Sequence, residues 1–265
     1  MKRLLIGIAA VTSLLATSAF AADLPVRTYT KAPVYVEPVY NWTGFYIGGN
    51  LGYSWGRSND TSTLTNAAGT VLLATSDKSD LNGIVGGGQI GYNWQMQSWV
   101  WGLEADIQGT DEKGSRAYSF TAVPNLGTNF FIPPTIPFAL NQKIDWFGTV
   151  RGRAGVLVTP KVLLYATGGL AYGQVNSNET VGGPLPAAFS NSTTNVGWTV
   201  GAGIEGAIGG NWTAKLEYLY VDLGTVSGSF TLPSTNISSY SSKITDNVLR
   251  VGINYRFDSA VVAKY

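Results

Sequence analysis

Asn247-Val248-Leu249-Arg250-Val251-Gly252-Ile253-Asn254-Tyr255-Arg256-Phe257 is the stretch on which the fold turns. Leu249, Val251, Ile253, Tyr255 and Phe257 alternate with Val248, Arg250, Gly252, Asn254 and Arg256. Successive side chains of a strand point to opposite faces, so one face is apolar and the other carries two arginines and an asparagine. The same alternation runs through residues 42–55, 83–94, 99–109, 144–158, 162–175, 195–208 and 212–221. A soluble sheet hides its apolar face and shows its charged one to water, whereas a membrane barrel turns the apolar face to lipid and the charged one inward. Alternation by itself leaves both readings open.

The N-terminus narrows them. Met1, Lys2 and Arg3 form a positive start, residues 4–15 are largely apolar, and Ala19-Phe20-Ala21 fits a small-residue cleavage site. This is the pattern of a secretory signal peptide, cleaved to leave Ala22 first. After it no run of eighteen apolar residues occurs, so no transmembrane helix is expected. Lipid then leaves the closed barrel as the spanning solution, because every backbone group must be paired. Export and alternating strands together place the chain in a Gram-negative outer membrane.

Composition agrees. Mean hydropathy is +0.09, as expected when half the strand positions meet lipid and half a polar lumen. The net charge of +1 falls to −1 once Lys2 and Arg3 leave, so nothing suggests nucleic acid as a partner. There is no cysteine, which excludes a disulfide framework. There is no histidine, which removes histidine metal ligands, general bases and Ser-His-Asp triads together. No cofactor, metal or catalytic group is expected.

Between the alternating segments the connections read long (56–81), short (95–98), long (110–143), short (159–161), long (176–194), short (209–211) and long (224–245). This is the layout of an all-β, eight-stranded antiparallel up-and-down transmembrane β-barrel, with turns on one side and loops on the other. The expected organisation is a signal peptide over 1–21, a Pro-containing periplasmic arm over 22–41, the barrel over 42–257 and a short tail over 258–265.

The inward charges are the main site candidate: Glu104, Asp106, Glu205 and Glu217 against Arg151, Arg153, Lys215 and Arg250. An eight-stranded barrel is only just wide enough for side chains. Charges there are partly desolvated and should pair into a salt-bridged plug; the other reading is a narrow, gated ion path. The paired carboxylates Glu104 and Asp106 could suggest glycosidase chemistry, but the lumen is too narrow for a sugar. Two G-x-G-x-x-G matches, from Gly86 and Gly201, lie inside strands with no helix to follow and are read as small residues easing curvature. The stretch 129–140 is a loop unusually rich in apolar groups, and Phe130, Phe131, Ile132, Ile136 and Phe138 mark a candidate contact surface.

Four stretches carry a resemblance. They are Asn41-Trp42-Thr43-Gly44-Phe45-Tyr46, residues 145–153 (DWFGTVRGR), residues 165–173 (YATGGLAYG) and Val251-Gly252-Ile253-Asn254-Tyr255-Arg256-Phe257. In these the chain resembles the small outer-membrane immunogenic proteins of alphaproteobacteria, a porin-family surface-antigen group. Arg250, Gly252, Tyr255 and Phe257 also resemble the signal by which the barrel-assembly machinery recognises its substrates, here followed by eight further residues. The resemblance implies a non-enzymatic outer-membrane protein that supports envelope integrity and presents loops. Its partners would be outer-membrane lipids, lipopolysaccharide, the barrel-assembly machinery and a host or surface partner reached through the loops. The alternative is a small passive porin for ions or small solutes.

Overall fold

The computed structural model describes residues 40–121, 135–182, 186–231 and 237–257. In chain order the strands are β1 (Gly44–Thr65), β2 (Val71–Met96), β3 (Trp99–Thr110), β4 (Lys113–Thr121), β5 (Thr135–Thr159), β6 (Val162–Val181), β7 (Ala187–Gly209), β8 (Trp212–Thr231) and β9 (Ile237–Arg256). Sequential strands pair antiparallel, and β1 pairs with both β2 and β9, which closes the sheet into a cylinder. β3 and β4 are one wall strand interrupted at Asp111 and Glu112, since both pair with β5. The ring therefore has eight walls, as the alternation predicts.

The pleat sorts the side chains. On β1, Phe45, Ile47, Leu51, Tyr53 and Trp55 point outward and are exposed, while Tyr46, Ser54 and Ser58 point in and are buried. Outward aromatics gather at two levels. Near the short turns Phe45, Phe257, Tyr255 and Trp212 stand in a row with ring centres 5.0–5.7 Å apart. One bilayer thickness higher, Trp55 meets Tyr218, Trp198 meets Tyr220 and Trp146 meets Tyr172. An apolar band between two aromatic girdles is what a barrel wall in lipid requires.

The strands do not stop at the second girdle. β1, β2 and β5 have 22, 26 and 25 residues, against about 9–11 for a tilted crossing. Most of what reads as long loop in the sequence is thus strand. The β1–β2 ladder runs without a shift from Gly44↔Asn93 to Leu64↔Leu73, and Asn66 closes the hairpin by accepting the backbone N–H groups of Ala68 and Thr70. The reason is physical: past the lipid the outward face has no need to be apolar, so hydrophobic alternation disappears while the pleat continues. The same correction applies to the apolar stretch 129–140. Thr135 onward belongs to β5, with Ile136 opposite Phe120 and Phe138 opposite Tyr118. Phe130, Phe131 and Ile132 lie outside the described residues.

Above the second girdle the cylinder divides. β2 and β4 share a single ladder pair, Asn82↔Lys113, and the β7–β8 ladder ends at Trp198↔Asp222. The upper parts of β8, β9, β1 and β2 form one flap, and β4 with the upper parts of β5, β6 and β7 forms a second. The break at Asp111–Glu112 and the register shifts in β5 (Ile144/Trp146) and β8 (Asp222/Gly224) lie at this level. Side-chain contacts tie the flaps together: Arg116 with Asp77 on the β2/β4 side, Asn195 Nδ2 donating to Leu223 O at 3.3 Å and Asn191 Nδ2 to Tyr240 Oη at 2.8 Å on the β7/β8 side, and Gln142 Nε2 to Ser242 Oγ at 3.1 Å.

Tyrosine rings lie over glycines of the adjoining strand on both faces of the wall, Tyr172 outside and Tyr165 inside. A Cβ at Gly148 would come within 2.7 Å of the Tyr172 ring, and one at Gly203 within 2.6 Å of the Tyr165 ring. A Cβ at Gly88 would meet nothing nearer than Gly48 O at 3.6 Å. Gly203→Val should therefore cut the yield of folded barrel, read as the species whose gel mobility shifts on boiling, whereas Gly88→Ala should refold like the parent.

Candidate functional site

The lumen is a stack of layers, each set by the inward positions of consecutive strands. At the short-turn end Trp42 fills the mouth with Val100, Leu163 and Tyr165. Its backbone N–H donates to Gln95 Oε1 at 2.8 Å and its indole N–H to Pro160 O at 3.2 Å. Tyr40 packs edge-on against it and lies beneath the Arg256 guanidinium.

The next layer holds all eight charges expected from the alternation, buried to 4% exposure or less. Arg151 reaches Glu104, Asp106 at 2.9 Å and Glu217 at 3.2 Å. Arg250 bonds Asp106 at 2.8 Å and Glu217 at 2.6 Å. Lys215 donates to both oxygens of Glu104 at 3.0 Å. Arg153 pairs with Glu205 at 2.6 Å and stacks 4.3 Å above the Tyr165 ring. Hydroxyls fill much of the remaining acceptor capacity: Tyr46 donates to Glu104 at 2.8 Å, Tyr165 to Glu217 at 2.9 Å and Thr149 to Asp106 at 2.9 Å. Four acids face four bases, so the layer is neutral. Isolated buried charges cost several kcal/mol each, and this mutual satisfaction is what lets them stand in the middle of a membrane wall.

Above the charges lies an apolar layer of Val85, Phe147, Leu219, Val221 and Val248, among others. Two carboxylates stand at its edge that the sequence reading does not identify. Asp246 accepts from Ser54, and Glu112 accepts from Thr110 Oγ1 at 3.2 Å. Gly56 and Gly83 make room for them: a Cβ at Gly83 would lie 2.8 Å from Glu112 Cγ, and one at Gly56 2.9 Å from Asp246 Oδ1. Glu112 sits in the break between β3 and β4, beyond Ile107, the last outward apolar side chain of β3. Burial raises its carboxyl to about 8, and the facing Asp246 adds to the rise, while hydrogen bonds from Ser54 and Thr110 oppose it. The parity of Glu104, Asp106 and Gln108 continues to 112, so extending β3 past Gly109 would have pointed to it.

The proposed recognition residues divide between the two faces. Arg250 and Gly252 point into the lumen, and Tyr255 and Phe257 join the lower girdle.

A transmembrane cylinder with a filled, charge-balanced interior defines an outer-membrane β-barrel. The chain belongs to the outer membrane protein beta-barrel domain family, which matches residues 7–257, and its place is the cell outer membrane. It is 37% identical to the 31 kDa outer-membrane immunogenic protein of Brucella melitensis over 94% of this chain and 98% of that one. It is 30% identical to the 25 kDa outer-membrane immunogenic protein of Brucella abortus over 97% and 99%. Among solved structures, the outer membrane protease OmpT from Escherichia coli is similar with a TM-score of 0.48 and 12% identity, over 81% of this chain and 97% of that one. A likeness so distant carries no argument about activity.

Removing one partner of a buried ion pair costs about 3–5 kcal/mol, so Arg151→Met should lower the urea midpoint strongly. Arg57→Met is the contrast: the Arg57–Asp80 pair is more than two-thirds exposed, and such pairs contribute about 1 kcal/mol or less. The folded chain keeps a proton on Glu112 that an unfolded chain releases above about pH 4.3. Stability should therefore fall as pH rises from there through about 8. Urea midpoints at pH 5 and pH 9 should differ less in Glu112→Gln than in the parent.

Proposed function

We propose that this protein is a non-enzymatic surface component of the outer membrane, a plugged barrel that strengthens the envelope and holds its upper flaps outside the cell. The observation that carries this reading is the stacked lumen: Trp42 below, a neutral charge layer in the middle, and the Phe147–Leu219–Val248 layer above. Water and ions have to cross three packed layers, so the interior works as a core. By the usual arrangement of such barrels the short turns face the periplasm and the long hairpins the outside. That orientation puts Trp42 at the periplasmic mouth.

The relatives named as immunogenic proteins support a surface-antigen role, with the two flaps as the presented part. The absence of histidine and cysteine supports the non-enzymatic reading. Residues 1–21 serve as the cleaved export signal in this proposal, and Arg250, Gly252, Tyr255 and Phe257 as the contact for the barrel-assembly machinery. Outer-membrane lipid and lipopolysaccharide surround the girdles. Any host or surface partner would be met by the long connections, with Phe130, Phe131, Ile132, Ile136 and Phe138 as the candidate contact residues by sequence.

The passive-porin alternative makes the opposite electrical prediction. In planar bilayers the refolded mature protein should be silent, and discrete conductance steps from the parent protein would sink the plug. Steps that arise only in Arg151→Ala or Glu217→Ala would instead locate the plug in the charge layer.

A further inference from the structure

Glu112 and Asp246 stand at the foot of the β2/β4 cleft, and neither envelope support nor a plugged lumen requires them. Their backbones belong to different flaps. The Glu112 carbonyl accepts from the Ile144 N–H of β5 at 3.2 Å, whereas Asp246 lies on β9, opposite Gly56 of β1. β1 and β2 pass between them, and there Gly83 faces Ser54. A Cβ at Gly83 would come within 2.5 Å of the Glu112 backbone nitrogen and 2.8 Å of its Cγ. The bare strand lets the Glu112 side chain lie across β2, where a hydrogen bond joins its carboxyl to that of Asp246. Ser54 Oγ donates to Asp246 beside it.

The wall is thin at this point. Between the pairs Val85↔Thr110 and Asn82↔Lys113 no ladder pair forms. The Asp111 N–H reaches Ile84 O at 3.3 Å, and the Ile84 N–H donates to Asp111 Oδ1 at 2.8 Å in place of a carbonyl. Further up, Arg116 meets Asp77. The carboxyl pair adds to these few ties and fastens the root of the second flap to the first.

Two carboxylates in contact cannot both ionise cheaply, and they keep a proton between them. The charged groups around them do not replace it. Asp60, two inward positions above Gly56 on β1, is itself an acid and is bonded to Ser58. Asp222 of β8 is paired with Lys243 at 3.3 Å, and Arg116 of β4 is engaged with Asp77. Lys113 and Arg57 project from the outer face. The inward positions at this level on β2, β5 and β8 are aliphatic, Leu81, Ile144 and Val221.

We infer that the Glu112–Asp246 pair is a proton-operated latch on the upper barrel. With the shared proton it draws the two flap roots together over Gly83; without it the two anions repel, take up water and let the β2/β4 cleft widen. Burial and the facing Asp246 put proton release from Glu112 at about pH 8, and burial raises Asp246 as well. Opened into water, the two groups return to ordinary carboxylate values of about 4. The closed form therefore binds the proton more tightly, so protons favour closure and the latch opens as pH rises.

The chain has no cysteine, so Ser76→Cys with Ala117→Cys gives two unique label sites on the outer face of β2 and β4. The mature protein is refolded in nanodiscs and checked by its gel shift on boiling. Pulsed electron-spin distances between nitroxides at these sites should be short and narrow at pH 6 and longer and broader at pH 9, with the change centred near pH 8. The infrared band of a protonated carboxyl should fade over the same range. Glu112→Gln keeps a neutral donor toward Asp246; with the same labels it should stay closed at both pH values and lack the fading band. The inference is overturned if the parent distances agree at pH 6 and pH 9, or if folded Glu112→Gln opens as the parent does.

Discussion

Everything in this structure depends on a backbone that lipid will not solvate. Each N–H and C=O between the girdles must find a partner within the protein, and the β1–β9 and β1–β2 ladders supply the last of them by closing the ring. Closure at eight walls leaves an interior that side chains must fill. The outward positions are committed to lipid, so the inward ones are where polar groups can go. Buried ion pairs are weak evidence for stability, since apolar residues of equal volume often serve as well. Their value here lies in register. A one-residue slip of β5 would carry Arg151 and Arg153 into lipid and Val150 into the lumen, and slips of β3, β8 or β9 would do the same to their charges. The charge layer therefore penalises every misaligned closure of the ring.

Past the second girdle the constraint disappears. Water can satisfy a strand edge there, so the ring need not stay closed, and two clefts open where continued pairing would have been obligatory in lipid. The polar upper strands keep their pleat, which still separates an inner row from an outer one. This is why Leu140, Ser177 and Glu179 are buried while Asn141, Asn178 and Thr180 beside them are exposed. The irregularities gather at the same level: the break at Asp111–Glu112, the β5 and β8 register shifts, and the glycines that admit Glu112 and Asp246.

What the sequence makes legible follows from this division. Between the girdles, lipid outside and charge balance inside impose a period of two on both faces, so the wall strands and all eight central charges can be read from alternation alone. The partners cannot. Arg151 meets Glu217 across strands that are distant in sequence, and that meeting depends on stagger and on which rotamer reaches the axis. Above the girdles both faces may be polar, so strands such as the upper half of β2 carry no hydrophobic period and pass for loops. Glu112 was hidden for a related reason, because its strand is interrupted at the residue itself. Tyr40 precedes the alternating segment and Trp42 opens it, and only the three-dimensional mouth of the barrel reveals what they close.

The same physics explains why a filled lumen and an open upper part belong together. A barrel that conducts needs a continuous polar path, and each layer here interrupts one: aromatic and aliphatic groups at the short-turn mouth, neutralised charge at the centre, aliphatic groups at the second girdle. With the interior packed as a core, the wall becomes a rigid base, and strands that leave it at fixed angles carry their order well beyond the bilayer. The upper β5–β6 and β8–β9 ladders continue for many residues past the last outward aromatics, which separate hairpins in water would hardly sustain, since isolated pairs of strands are marginal there. The plug thus does its work at a distance. By fixing the roots of two four-stranded flaps, it allows a cleft of defined shape to exist between them.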